Sequence, residues 1–116
     1  MGETLSGAHA RESIAGDSAA VSSQMLENAK VTTAFLKSLS HPVRLVILCR
    51  LAEGKTSVGE LEALVGVPQA AVSKQLARLR DEGLVDFERA GRSILYSLSD
   101  ARTHRIIKVL YEEFCE

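Results

Sequence analysis

The thirty residues from Thr56 to Val85, TSVGELEALVGVPQAAVSKQLARLRDEGLV, limit what this chain can become more than any others. They hold two short apolar patterns of helical spacing, broken at Gly66. In the first, Ser57 stands at the N-cap position and Glu60, three residues on, completes a capping box; Val58, Leu61, Leu64 and Val65 form the apolar side. In the second, Pro68 opens the helix, Val72, Leu76 and Leu79 make the inner stripe, and Gly83 ends it. Two short helices joined by a tight glycine-containing turn make a helix-turn-helix.

The flanks complete a fold. Upstream, Leu26, Ala29, Thr33, Leu36 and Leu39 recur at helical steps, with Val31 and Phe35 on an adjoining strip, so a first helix with two apolar surfaces is expected from about 22. A second helix is expected over about 41–53, with Ser40 as cap, Pro42 in its first turn and Gly54 as its stop. Downstream, Val85 and Phe87 face one way, then Ile94, Tyr96 and Leu98, around a turn at Ala90 and Gly91, which spells a β-hairpin. Ser99 or Asp100 then caps a last helix carrying Ile106, Ile107, Val109, Leu110 and Phe114. The expected fold is mainly α with a small β-hairpin: a winged helix-turn-helix of about five helices and a two-stranded wing. Residues 1–21, rich in Gly, Ala and Ser, read as a flexible tail, and 22–116 as one DNA-binding and dimerisation domain.

Bulk properties narrow the partners. A chain of 116 residues with 46% hydrophobic and 25% charged residues is one ordinary globular domain. No apolar run approaches the roughly 18 residues of a membrane span, and no secretory pattern opens the chain. A cytoplasmic protein with no membrane partner is therefore expected. A net charge of −1 gives no general attraction to nucleic acid, so DNA binding would need a local basic surface. The helix over 69–80 provides one. It has no acidic residue and displays Gln69, Ser73, Lys74, Arg78 and Arg80 away from its apolar stripe. Gln and Ser bond base edges, while Lys and Arg neutralise phosphates or contact guanine. Arg89 and Arg92, either side of Gly91, put two positive charges near the wing tip.

The segments LSHPVRLVIL, TSVGELEALVGVPQAAVSKQLARLRDEGLV and GRSILYSL together resemble the ArsR type of bacterial winged-helix repressors over about residues 25–116. The resemblance implies a homodimer, built mainly from the first and last helices, that sits on double-stranded DNA with an inverted-repeat operator and leaves it when an inducer is sensed. It maps base contacts onto Gln69, Ser73 and Lys74, while Ala70 stands where relatives often carry a polar side chain. The surplus of apolar surface on the first and last helices points independently to a dimer, whose reading helices would lie about 34 to 36 Å apart in successive major grooves.

Repressors of this type are often metal sensors. The helix SVGELEALVG has no Cys or His, so a thiolate site there is absent. Asp100 and His104 lie four apart, but no second His follows. No metal and no cofactor are expected, and His9 and His41 add nothing. Two cysteines remain. Cys49 falls on the Leu45, Leu48, Ala52 face of the second helix, where a small hydrophobe would also fit, and Cys115 sits at the end of the last helix. One cysteine in ILCRL and one in the final residues resemble the dithiol repressors of the SqrR and BigR type, which sense persulfide and sulfide. That resemblance implies a redox-sensing Cys49–Cys115 pair, crosslinked within the chain when a persulfide or polysulfide inducer arrives. The alternative is a repressor of the same type tuned to a metal ion or to general oxidants. An enzyme is not expected: there is no C-x-x-C and no cofactor fingerprint. Arg50 and Arg44 near Cys49, against Glu112, Glu113 and Glu116 around Cys115, suggest Cys49 as the more acidic thiol, with burial of Cys49 working the other way.

Overall fold

A computed structural model describes residues 19–115. The elements run α1 (Ala19–Leu39), α2 (Pro42–Leu51), β1 (Thr56–Ser57), α3 (Val58–Val65), α4 (Gln69–Asp81), β2 (Val85–Ala90), β3 (Ser93–Leu98) and α5 (Ala101–Phe114). The winged helix-turn-helix is present, mostly helical, with one strand more than expected. The proposed tail falls almost wholly outside the described residues, and α1 starts three residues earlier than its apolar period suggests.

The chain divides into two compact units, with the break inside α1 after Leu36. In the first unit, α1 leaves Leu26, Val31 and Leu36 at 61%, 63% and 52% exposure. A single chain therefore does not bury the apolar surface that gives this helix its pattern.

The second unit holds the core. Ile47, Leu48 and Leu51 of α2 meet Leu61 of α3, Val72, Leu76 and Leu79 of α4, Leu84 and Val85 at the foot of the wing, and Ile107 of α5. Each such side chain, fully buried, stabilises the fold by about 1.5–3 kcal/mol over its exposed state. The core is aliphatic, and the few aromatic side chains stay at its rim.

Local chemistry sets the boundaries. At α2 the cap is His41 and not Ser40: Val43 N–H donates to His41 Nδ1 at 3.2 Å, while the Ser40 hydroxyl turns back to Lys37 O at 2.7 Å. The helix closes at Leu51, two residues short of expectation. At α3 the capping box is formed, with Glu60 N–H donating to Ser57 Oγ and Ser57 N–H to Glu60 Oε1. Gly66 ends α3 at φ 75°, a left-handed conformation that an L side chain resists. At the end of α4, Leu84 N–H reaches Leu79 O and Gly83 N–H reaches Arg80 O, the paired bonds of a Schellman closure. Asp100 caps α5 by accepting from Thr103 N–H at 2.8 Å.

The sheet is antiparallel in the order β1-β3-β2. Val85 pairs with Leu98, Phe87 with Tyr96 and Arg89 with Ile94, and the register closes at Ala90 with Ser93. The turn residues are therefore Gly91 and Arg92. A positive φ at Gly91 alone, 66°, is the pattern of a type II′ turn, one of the two forms that suit the twist of a hairpin. The unexpected strand β1 pairs Thr56 with Tyr96 and Ser57 with Leu95.

Candidate functional site

The candidate DNA-reading surface is built outward from the stripe of α4. Val72, Leu76 and Leu79 are completely buried, which turns Gln69, Ala70, Ser73, Lys74 and Arg78 to solvent. At 100° per residue, Ala70, Ser73, Lys74 and Ala77 occupy the sector opposite the stripe, and Arg78 extends the Lys74 side by one turn. Two alanines at the crest remove bulk between the polar side chains, so the helix backbone can come close to a base edge.

Gln69 opens α4 and shares a groove of about 340 Å³ with Arg92, Ser93 and Ile94 of the wing and Ser57, Val58 and Gly59 at the start of α3. The first residue of the reading helix and the wing-turn cation are thus brought together. Arg89 lies on β2, exposed, opposite Ile94. Arg80 is placed differently: its guanidinium lies 4.2 Å from the centre of the Phe87 ring, a cation–π contact between the end of α4 and the wing. Phe87 also tilts against Tyr96, ring centres 5.8 Å apart.

One cation behind this surface was read in the sequence only as a neighbour of Cys49. Arg44 of α2 is only 9% exposed. Its Nε donates to Ser38 O at 2.7 Å, Nη2 to Lys37 O at 3.3 Å and Nη1 to Gln75 Oε1 at 3.0 Å. The same turn of α1 touches α4 again, where the Ser38 hydroxyl donates to the Glu82 carboxylate. The only available signal was an arginine on an otherwise apolar helix face.

The thiols lie on the other side of α2. Cys49 is half-buried on that helix, and Cys115 is exposed as the C-cap of α5, its N–H bonded to Tyr111 O at 2.8 Å. The helices pack together and are tied where His104 Nε2 meets Ala52 O at 2.9 Å. A carbonyl only accepts, so the imidazole donates there. Beside Cys49 opens a cleft of about 270 Å³ lined also by Glu53, His104, Lys108, Tyr111 and Glu112. Burial pushes the Cys49 thiol up, and the negative charges of Cys115 and Glu53 push it further in the same direction. These causes all act against an acidic Cys49 thiol, and the arginines expected to favour it are engaged elsewhere. The Arg44 guanidinium turns away to Ser38, Lys37 and Gln75, and Arg50 sits 3.8 Å from Glu53. Neither cation offsets the burial.

The metal alternative has little to work with. The Asp100 carboxylate caps α5 and the His104 ring is bonded to Ala52 O. Among the described residues no three of His, Cys, Asp and Glu converge on one point.

Comparison with known proteins now places the chain. The sequence profile of "Bacterial regulatory protein, arsR family" matches residues 41–86. The biofilm growth-associated repressor of Xylella fastidiosa (strain Temecula1) is 43% identical over 91 residues, covering 78% of this chain and 80% of that protein. The crystal structure of the transcriptional repressor BigR from Xylella fastidiosa superposes with a TM-score of 0.74 at 42% identity, covering 80% of this chain and 92% of that one. Reduced HlyU from Vibrio cholerae gives a TM-score of 0.77 at 33% identity over 80% of this chain and 98% of that one. With profile, sequence and fold in agreement, the chain belongs to the ArsR family of bacterial regulatory proteins, winged-helix regulators of transcription that bind DNA.

Proposed function

We propose that this regulator is a homodimeric repressor that reads an inverted-repeat operator with α4 and the wing, and that lets go when Cys49 and Cys115 are joined by reactive sulfur. The reading is supported chiefly by one observation: two cysteines far apart in sequence stand on packed helices, Cys49 facing the cleft lined by α5 and Cys115 at the C-cap of α5. The exposed apolar faces, on α1 and separately on α5, suit a second copy of the chain. Gln69, Ser73 and Lys74 would read base edges and neighbouring phosphates, with Arg78, Arg89 and Arg92 neutralising the backbone and Arg80 supporting the wing from below.

The chemistry balances without an external oxidant beyond the inducer. One cysteine thiolate attacks the outer sulfur of a persulfide R–S–SH, forming Cys–S–SH and releasing the thiolate RS⁻. The second thiolate attacks the inner sulfur of that persulfide and expels HS⁻, leaving a disulfide. Where both cysteines have become persulfides, the same attack leaves a trisulfide and HS⁻. A disulfide needs Cα atoms within about 7 Å, and each added sulfur relaxes that limit, which would favour sulfur donors over peroxide. Because α5 is also offered to the second copy, a tie at its end would shift one reading head against the other. A coupling of roughly 1–3 kcal/mol lowers DNA affinity by about 5 to 150 fold.

The test uses a duplex that the reduced protein enriches from a random pool. Persulfide treatment is expected to release this duplex and to change the intact mass by an intrachain crosslink. Cys49→Ser and Cys115→Ser are expected to bind the duplex and to stay bound under the same treatment. Release of either variant at the wild-type persulfide concentration would exclude the dithiol switch. Release by zinc or nickel in place of persulfide would favour the metal alternative.

A further inference from the structure

We infer that Arg44 is a positioning residue for DNA reading: its buried guanidinium fixes the rotation of α4 by joining Gln75 to the last turn of α1. All three guanidinium nitrogens are used, each on a different acceptor: Ser38 O, Lys37 O and Gln75 Oε1. Two of those acceptors are carbonyls in the last turn of a helix, where the helix dipole favours a cation. The third is a side chain of the reading helix itself.

The place of Gln75 gives this contact its effect. It projects from the flank of α4, between the buried stripe and the Lys74 and Arg78 side, and is half-buried. A leucine stripe resists withdrawal of a helix from the core but only weakly resists a roll about its own axis, because apolar contacts carry no direction. A hydrogen bond on the flank does resist a roll. The Ser38 to Glu82 bond holds the C-terminal end of α4 to the same turn of α1, so α4 is held at two points along its length. A roll of 20° would displace a side-chain tip about 10 Å from the helix axis by roughly 3 Å, the length of a hydrogen bond to a base edge.

A planar fork reaches three acceptors in fixed directions; an ammonium in the same place keeps the charge and loses the geometry. This inference rests on α4 being the element that reads DNA, and it is independent of the thiol chemistry.

The experiment measures two affinities for each variant: for the duplex enriched from a random pool, and for a scrambled duplex of equal length and composition. Gln69→Ala comes first; if it leaves both affinities at the wild-type value, α4 is not the reader and the premise fails. For Arg44→Lys, binding to the enriched duplex is expected to fall about 10 to 100 fold while scrambled binding changes by less than about threefold, since phosphate contacts do not need an exact roll. Gln75→Ala, at a half-buried position whose loss the core tolerates, is expected to reduce the same ratio by about 5 to 20 fold. Gln75→Glu retains an acceptor for Arg44 and is expected to restore the ratio. The double variant Arg44→Lys with Gln75→Ala should be no worse than Arg44→Lys alone. A parallel fall in both affinities, or an unchanged ratio in Gln75→Ala, overturns the inference. Should Arg44→Lys not fold, the Gln75 pair decides.

Discussion

Helices α4 and α5 are nearly equal in length, 13 and 14 residues, yet the fold holds them in opposite ways. Along α4 three leucine-class side chains are completely buried, the end is closed by paired backbone bonds, and Arg44 grips the flank. α5 is fastened at its start, by the Asp100 cap, the His104 bond to Ala52 and buried Thr103 and Ile107. Beyond Ile107 only Leu110 stays half-buried; Val109 turns outward, and Phe114 is 83% exposed. A helix that must present side chains to a rigid duplex is held along its length. The helix that carries Cys115 at its tip is held at one end, so that the proposed bond there would have somewhere to move it.

Four experiments sharpen or break that contrast. The largest effect is expected inside α4: Leu76→Ala should cost about 2–5 kcal/mol in urea unfolding, whereas Phe114→Ala should change the stability of the single chain by less than about 0.5 kcal/mol. Equal losses would mean that the end of α5 is part of the monomer core. Next, Lys74→Ala should weaken binding by about tenfold and flatten the salt dependence by about one charge, measured by anisotropy across a salt series. A steep, unchanged slope would place that ammonium away from phosphate.

A smaller effect is expected on the thiol side. Burial, then the Cys115 charge, then Glu53 hold the Cys49 thiol above its ordinary range. Removing Cys115 as a serine should let Cys49 react with an alkylating agent at lower pH than in the wild type, and Glu53→Gln should shift it less. An unchanged pH profile in both would separate the two sulfurs.

The smallest effect concerns the helix caps. The Asp100 and Glu60 carboxyls are held below the ordinary carboxylate range, each chiefly by accepting a backbone N–H, from Thr103 and Ser57 respectively. Their contribution is present above the unfolded-state range and is lost as pH falls through the lower folded-state values. Asp100→Asn should remove part of this acid sensitivity while keeping a cap. A variant that unfolds in acid along the wild-type curve would assign the sensitivity elsewhere.

Much of this molecule was legible in its residues. Gly66, Gly83 and the Ser57–Glu60 box each dictate backbone geometry locally, so the helix-turn-helix could be placed within a residue or two. The misses are non-local. β1 spans two residues, too short to show alternation, and exists because β3 lies beside it. His41 displaces Ser40 as a cap because that hydroxyl finds Lys37 O first. Arg44 and Arg80 share a residue type with the DNA-facing cations, and only the folded chain reveals that one lies buried and the other sits on Phe87. The same effect applies at Cys49: proximity in sequence put arginines near the thiol, and their hydrogen bonds and ion pair lead elsewhere.

Ser57 belongs to two structures at once, pairing with Leu95 in the sheet while capping the helix that precedes the reading helix. The hairpin and the helical pair are thereby joined at a single residue, which limits how far the base of the wing can move against α3. On the proposed reading of DNA by α4 and the wing, a duplex whose grooves already match that spacing would be preferred over one that must be bent to it, even at base pairs no side chain touches.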